Sequence, residues 1–394
     1  MIFKKKDQQR APETDTARGA GKPAAAPYRS SSPSLENIKY VVAIASGKGG
    51  VGKSTVTSNL AMALSATGAK VGLLDADIYG PSQPGMMGAS GQKPDVADNK
   101  LQPVTRHGVK FVSMGLLLDE DSPVVWRAPM ATKMISQFIG AVNWGKLDYL
   151  LVDLPPGTGD VQITLAQQAP LTGAVIVTTP QDVALDVAKK GLKMFEQVNV
   201  PILGIIENMS GFTCSHCGEV TAIFKEGGGK ALAEKLKVPY LGSIPLDPQI
   251  MMGGEEGLPV TGGSADSPAA KSFTATAARL VEQVVLEAES AALEPVNVEL
   301  TTEGDVDITW PGGKQEIYRA YDLRVNCPCA ACVDEDSGKR TLDVKHVALD
   351  VRITSFRTVG RYALAFDFSD RHNTGIYRYE RLRDLNPSSE SFSV

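Results

Sequence analysis

No run of eighteen consecutive apolar residues occurs in the 394-residue chain, which excludes an obvious membrane-crossing helix. A basic excess is missing too. Against 45 Asp and Glu stand 40 Lys and Arg, a formal net charge of −5, so the chain as a whole offers no field to gather nucleic acid or anionic lipid. Partners are expected among proteins and small anions, with no nucleic acid and no membrane. Cysteine is scarce: the first 213 residues contain none, and the five that follow form two tight groups, Cys214 with Cys217 and Cys327 with Cys329 and Cys332. Such clustering does not make a disulfide framework. In a chain whose basic start, Met1 to Arg10, is followed by no apolar stretch, it points to a cytoplasmic protein that binds metal.

What is present suits a globular protein with a sizeable core, 43% hydrophobic and 22% charged residues over a length that suggests two or three domains. Residues 1–37 are rich in Lys, Arg, Pro, Ala, Gly and Ser and read as a disordered tail. Residues 38–293 alternate short β-branched runs with helical stretches, the pattern of a doubly wound, mostly parallel sheet covered by helices. Strands are predicted at Val41 to Ser46, Val71 to Asp75, Phe111 to Gly115, Tyr149 to Asp153, Ala174 to Thr179, Ile202 to Glu207 and Tyr240 to Ile244. Helices are predicted at Lys53 to Ala66, Val161 to Gln168, Ala184 to Val198, Gly229 to Leu236 and Ala269 to Ala292. After Pro295 the texture changes to Thr-, Val- and Tyr-containing runs with turn signals, a small β-rich domain over 294–387 before a last short tail, 388–394.

Gly47-Lys48-Gly49-Gly50-Val51-Gly52-Lys53-Ser54 satisfies the Walker A pattern between an apolar strand and a helix start, with Thr55 next in the helix. The glycines let backbone N–H groups face phosphates, Lys53 is placed to reach the β- and γ-phosphates of ATP, and Ser54 to ligate Mg2+. An ordinary glycine-rich turn would have to match eight consecutive residues by chance. Two more apolar strands end in carboxylates, at Asp75-Ala76-Asp77 and at Asp153, each before a Gly/Pro-rich loop. Such residues can be plain loop caps, but carboxylates at the carboxyl edge of a parallel sheet stand where ligands bind.

The loop with its second lysine resembles the deviant Walker A family, which includes MinD, ParA, the nitrogenase iron protein and the Mrp/ApbC proteins. The resemblance implies that Lys48 reaches across a homodimer to the partner's nucleotide, where otherwise it is a solvated charge. It also implies that Asp77 positions the attacking water, Asp75 and Asp153 support Mg2+, and Asn208 contacts adenine, although a lone Asn is equally a turn residue. Asp77-Ile78-Tyr79-Gly80-Pro81-Ser82, Trp126-Arg127-Ala128-Pro129-Met130 and Asn208-Met209-Ser210-Gly211-Phe212 before Cys214-Ser215-His216-Cys217 look like the Mrp/ApbC iron–sulfur cluster carriers. That match implies an ATPase that holds a [4Fe–4S] cluster between Cys214 and Cys217 of two chains and passes it to apo iron–sulfur proteins. Zinc, a redox pair or two buried thiols are the rival readings of the CxxC. A MinD- or ParA-type positioning ATPase and a redox P-loop protein are the rival functions. Some eukaryotic relatives carry a cysteine-rich N-terminal segment for a second cluster, which the first 213 residues here lack.

Cys327-Pro328-Cys329-Ala330-Ala331-Cys332, with Phe368 to Tyr377, resembles the N-terminal domain of γ-butyrobetaine hydroxylase, which also occurs at the C-terminus of some bacterial Mrp proteins. The resemblance implies Zn2+ held by Cys327, Cys329, Cys332 and His372. A second cluster is the alternative ligand, and His372 could be a surface histidine, since Asp370-Arg371 replaces the Asp-Gly common there. No role is assigned to His107 or His346; Trp126 and Arg127 would line a dimer or nucleotide surface, or pack beside a helix start.

Overall fold

The computed structural model describes residues 35–117, 133, 138–214, 216–217, 219–263, 265–334, 339–359 and 363–385. The expected tails, apart from residues 35–37, lie outside the described residues, as do Trp126, Arg127 and the rest of that motif.

Apolar runs become strands here because the sheet is covered on both faces. β1 (Ile38–Ser46), β2 (Val71–Asp75), β3 (Val104–Arg106), β4 (Val109–Ser113), β5 (Leu147–Asp153), β6 (Gly173–Thr178), β7 (Ile202–Glu207) and β8 (Tyr240–Ser243) lie in the order β8-β7-β6-β1-β5-β2-β4-β3. All neighbours are parallel except the short edge pair β3–β4. Every residue of β2 and β6 is buried. Helices among the described residues include α1 (Lys53–Ala66), α2 (Gln83–Met86), α3 (Asp160–Gln168), α4 (Asp182–Gln197), α5 (Gly228–Leu236), α6 (Pro248–Glu255) and α7 (Pro268–Ala292). Leu165, Phe195 and Leu232 cover one face of the sheet with Trp144, while Leu60, Phe273 and Leu280 cover the other.

α1 is buried along most of its length, from Val56 to Leu64, which explains why its sequence is small and apolar rather than amphipathic. It lies between the sheet and α7. α7 starts at a proline, and Ser267 before it accepts the Ala270 N–H at 3.1 Å, a sound N-cap. No helix among the described residues is long and apolar enough to cross a membrane.

Expected and observed elements agree closely, with local exceptions. β4 ends at Ser113 rather than Gly115 because the Ser113 hydroxyl accepts the Gly115 N–H at 3.0 Å and starts a tight turn. The edge strand β3 and the helices α2 and α6 have no counterpart among the predicted elements.

The C-terminal region is β-rich, as expected. β9 (Asn297–Leu300), β10 (Val306–Thr309) and β11 (Gln315–Tyr318) form one antiparallel sheet, and β12 (Ile353–Val359), β13 (Ala363–Phe368) and β14 (Ile376–Arg378) another. Two short helices, α8 (Ala320–Val325) and α9 (Tyr379–Asp384), complete it. Its core is small and aromatic: Trp310 meets Tyr318 and Tyr379 edge-on, with centroids 6.4 and 6.3 Å away. Cys327 and Cys332 belong to the same core, so a metal held there would reinforce a core of limited size.

Candidate functional site

Register brings the sequence-predicted carboxylates together. Asp153 lies opposite Asp75 across β5–β2 and opposite Ile44 across β5–β1, while Asp75 faces Ser113 across β2–β4. All stand at the carboxyl edge of the sheet, where the loop Gly47–Ser54 leaves β1. Gly50 and Gly52 take φ of +77°, and a Cβ on Gly47 would come within 2.6 Å of the Val187 backbone in α4, so the loop needs its glycines. Asn208, just past β7, donates from its amide to the Val51 carbonyl at 2.9 Å, tying the far side of the sheet to this loop.

Lys53 is 5% exposed and its ammonium lies 2.6 Å from Asp153 Oδ1, which also accepts from the Thr57 hydroxyl at 3.0 Å. Gln83 Nε2 donates to Asp153 Oδ2 at 3.0 Å and to the Ser54 carbonyl at 3.0 Å. Both oxygens of Asp153 are therefore engaged by protein donors. Asp75 accepts from Ser113 Oγ at 2.7 Å and from the N–H groups of Asp77 and Gln83. Burial, and then the neighbouring Asp153 carboxylate, push the Asp75 carboxyl well above the ordinary range. Asp77 is raised by burial against the opposing pull of Lys53, and it accepts N–H groups from Tyr79 and Gly80. Lys48 stands apart: it is half exposed and pairs with none of these three carboxylates. Gln83, Thr57 and Ser113 were not singled out from sequence. Gln83 sits in the Gly/Pro-rich loop after Asp77, where no periodic pattern marks a residue.

Cys214 and Cys217 lie on a small hairpin, Phe212–Thr213 paired with Val220–Thr221, that begins four residues after Asn208. Cys217 is exposed and Cys214 half exposed. Backbone N–H groups of Cys217 and His216 point at the Cys214 sulfur and hold its thiol below the ordinary value. The hairpin is closed at its base by Glu207, fully buried, whose carboxylate accepts from the Ser210 hydroxyl and from the N–H groups of Gly227 and Gly229.

The other three cysteines do gather with His372. The four donor atoms lie within 4.8 Å of one another, and His372 Nε2 is 3.1, 3.6 and 3.9 Å from the sulfurs of Cys327, Cys329 and Cys332. A tetrahedral ion with bonds of about 2.3 Å to sulfur sets neighbouring sulfurs roughly 3.8 Å apart, so the donors suit one ion more closely than a cubane. Burial pushes the Cys327 thiol up to about 12. Arg324 donates to Asp370 at 2.6 Å, and Asp370 accepts the His372 N–H at 3.0 Å, which fixes the histidine-bearing turn. A Cβ on Gly375 would come within 2.7 Å of the Cys327 sulfur, so the small residue there is a condition of the donor set. His107 bonds the Gly257 carbonyl and His346 pairs with Asp343, both outside these sites.

A parallel sheet wound in both directions, with this loop at the carboxyl end of its first strand, defines a P-loop NTPase. Residues 37–281 match the ParA-type model described as the NUBPL iron-transfer P-loop NTPase, and the chain belongs to that family. Residues 298–383 match the model of the gamma-butyrobetaine hydroxylase-like N-terminal domain. The chain is 51% identical over 260 residues to an iron-sulfur cluster carrier protein of Synechocystis sp., covering 65% of this chain and 74% of the relative. To the iron-sulfur cluster carrier protein of Escherichia coli K12 it is 49% identical over 253 residues, 64% of this chain and 68% of the other. A nucleotide-binding protein of Archaeoglobus fulgidus, solved in complex with ADP, is 45% identical with a TM-score of 0.52, covering 57% of this chain and 88% of that one.

Proposed function

We propose that the chain is a cytoplasmic, Mg2+-dependent ATPase that assembles a [4Fe–4S] cluster between two copies of itself and hands it to apo iron–sulfur proteins. What supports this most is the contrast between its two thiol groups. Cys327, Cys329 and Cys332 sit in or beside a core and have their fourth donor, the arrangement of a resident ion. Cys214 and Cys217 are at the surface and number two, half of what a cubane needs. A second copy supplies the other half, and surface placement lets the cargo leave. The relatives' names and the family's iron-transfer description agree with this assignment. The carrier part would run from about residue 38 to 293 and the metal-binding appendage from 294 to 387.

In the nucleotide site, Lys53 would move from Asp153 to the β- and γ-phosphates, and Gly47 to Thr55 would wrap the phosphates. Asn208 would meet the base, and Lys48 would reach the partner copy's nucleotide. The residues suit Mg2+: the carboxylates of Asp75 and Asp153 and the Ser54 hydroxyl are hard oxygen donors around Lys53 and Gln83, and the buried amide oxygen of Gln83 beside them lacks a donor. Bound with ATP, the ion would neutralise phosphate charge. Asp77, held by two backbone N–H groups, would orient the attacking water. Asp77→Asn is expected to keep ATP bound while slowing hydrolysis by on the order of 100-fold; normal turnover with lost binding would reverse the assignment.

In the appendage, the donor set of three thiols and an imidazole fits Zn2+. Cys329→Ser is expected to remove about one zinc per chain and to lower stability by on the order of several kcal/mol, because metal binding there is part of folding. Metal analysis and a melting curve read both; iron and sulfide in place of zinc would refute the choice of ion. The function itself is tested by mixing reconstituted holo-protein with an apo-enzyme that needs a [4Fe–4S] cluster. Recovery of that enzyme's activity supports a carrier, and a cluster that never moves, even with ATP, leaves a redox protein.

A further inference from the structure

We propose that Gln83 is a positioning residue of the nucleotide site, which orients Asp153 with its amide nitrogen and receives a water of the metal's shell on its amide oxygen. The proposal rests on the assignment of this site to Mg2+ and nucleotide. Gln83 opens α2 and has no exposed surface. Its backbone N–H donates to Asp75 Oδ2 at 3.3 Å, and its side-chain nitrogen donates to Asp153 Oδ2 and to the Ser54 carbonyl, each at 3.0 Å. One side chain thus joins the loop after Asp77, the carboxylate at the end of β5 and the phosphate-binding loop.

The orientation of the amide is determined by its neighbours. Turned over, it would set oxygen against a carboxylate oxygen and a carbonyl. With both amide protons in use, Oε1 is left as a buried acceptor with no donor. Buried polar atoms are almost always satisfied, and an orphan among metal-type ligands calls for a donor that arrives with a ligand. Mg2+ dehydrates reluctantly and keeps several waters, each of which donates. An acceptor beside two carboxylates is what such a water shell needs, and the same residue keeps Asp153 facing the ion.

The test is nucleotide binding as a function of Mg2+, read with a fluorescent ATP analogue on the full-length protein. Gln83→Leu should raise the Mg2+ concentration for half-maximal binding about tenfold, the effect of losing one hydrogen bond to a charged group. Gln83→Glu keeps an acceptor at the orphan position and turns the donor facing Asp153 into another charge. Its melting temperature should therefore rise more than that of wild type when Mg2+ and ADP are added, and that of Gln83→Leu less. An unchanged Mg2+ requirement in Gln83→Leu would overturn the proposal, as would affinity lowered equally with Mg2+ and with EDTA. Should Gln83→Leu fail to fold, an Mg2+-dependent stabilisation of Gln83→Glu no greater than that of wild type would overturn it. Retention of nucleotide by Lys53→Ala in the same assay would strike instead at the underlying assignment of the site.

Discussion

Lys53→Ala protein is expected to bind ATP on the order of 100-fold more weakly than wild type and to lose hydrolysis with it, because a buried charged partner of the phosphates is removed. The variant should also be less stable before any ligand is added. Lys53 and Asp153 are buried together at 2.6 Å, and breaking such a pair by truncating one member costs about 3–5 kcal/mol. Thr57 and Gln83 still donate to Asp153, which places the expected loss toward the lower end of that range. Isothermal titration and thermal melting separate the two effects. Undiminished ATPase activity in Lys53→Ala would remove the phosphate-binding role of the loop.

The second large effect concerns the cargo. After anaerobic reconstitution, wild-type protein should carry one [4Fe–4S] cluster per dimer, and Cys214→Ser or Cys217→Ser should carry essentially none while ATP binding persists. Each chain offers two thiols on the hairpin, one exposed and one half exposed, so losing one per chain leaves two ligands of the four a cubane takes. Serine keeps the size of the side chain, and the hairpin's backbone pairing does not depend on the thiols, so a folding defect would not be the cause. Iron and sulfide content together with the visible absorption band give the answer. A cluster retained when both cysteines are replaced would have to sit on the C-terminal cysteines.

Most strands and helices of the P-loop part were legible because each is a buried apolar run, a buried helix such as α1 or a helix with one buried face such as α4. β1, β2, β5, β6 and β7 were located to within a few residues from apolar composition alone. The edge strand β3 was not, since three residues, none of them buried, are too few to carry a period. Within the site, Lys53 could be named from the glycine-rich loop motif, Asp75 and Asp153 because each is a carboxylate that ends an apolar strand, and Asp77 because it lies two residues past Asp75. Gln83 and Ser113 could not. Ser113 matters because β4 lies in register with Asp75, and Gln83 because a loop folds back on Asp153; neither relation is local in sequence. In the C-terminal region, Asp370-Arg371 looked like a departure from Asp-Gly. Arg371 nonetheless takes a φ of +68°, the conformation glycine would favour, so the turn that presents His372 keeps its shape with an unfavourable residue in it.

Asp153, with Lys53 and Thr57 on one oxygen and Gln83 on the other, is the built-in counter-ion of Lys53. On the nucleotide assignment proposed above, loading Mg2+ and ATP would be a displacement and not an addition: the ammonium would have to leave one carboxylate oxygen as the divalent ion and the phosphates come in. The net affinity would then be a small difference between two large terms, the cost of separating a buried ion pair and the gain of the new one.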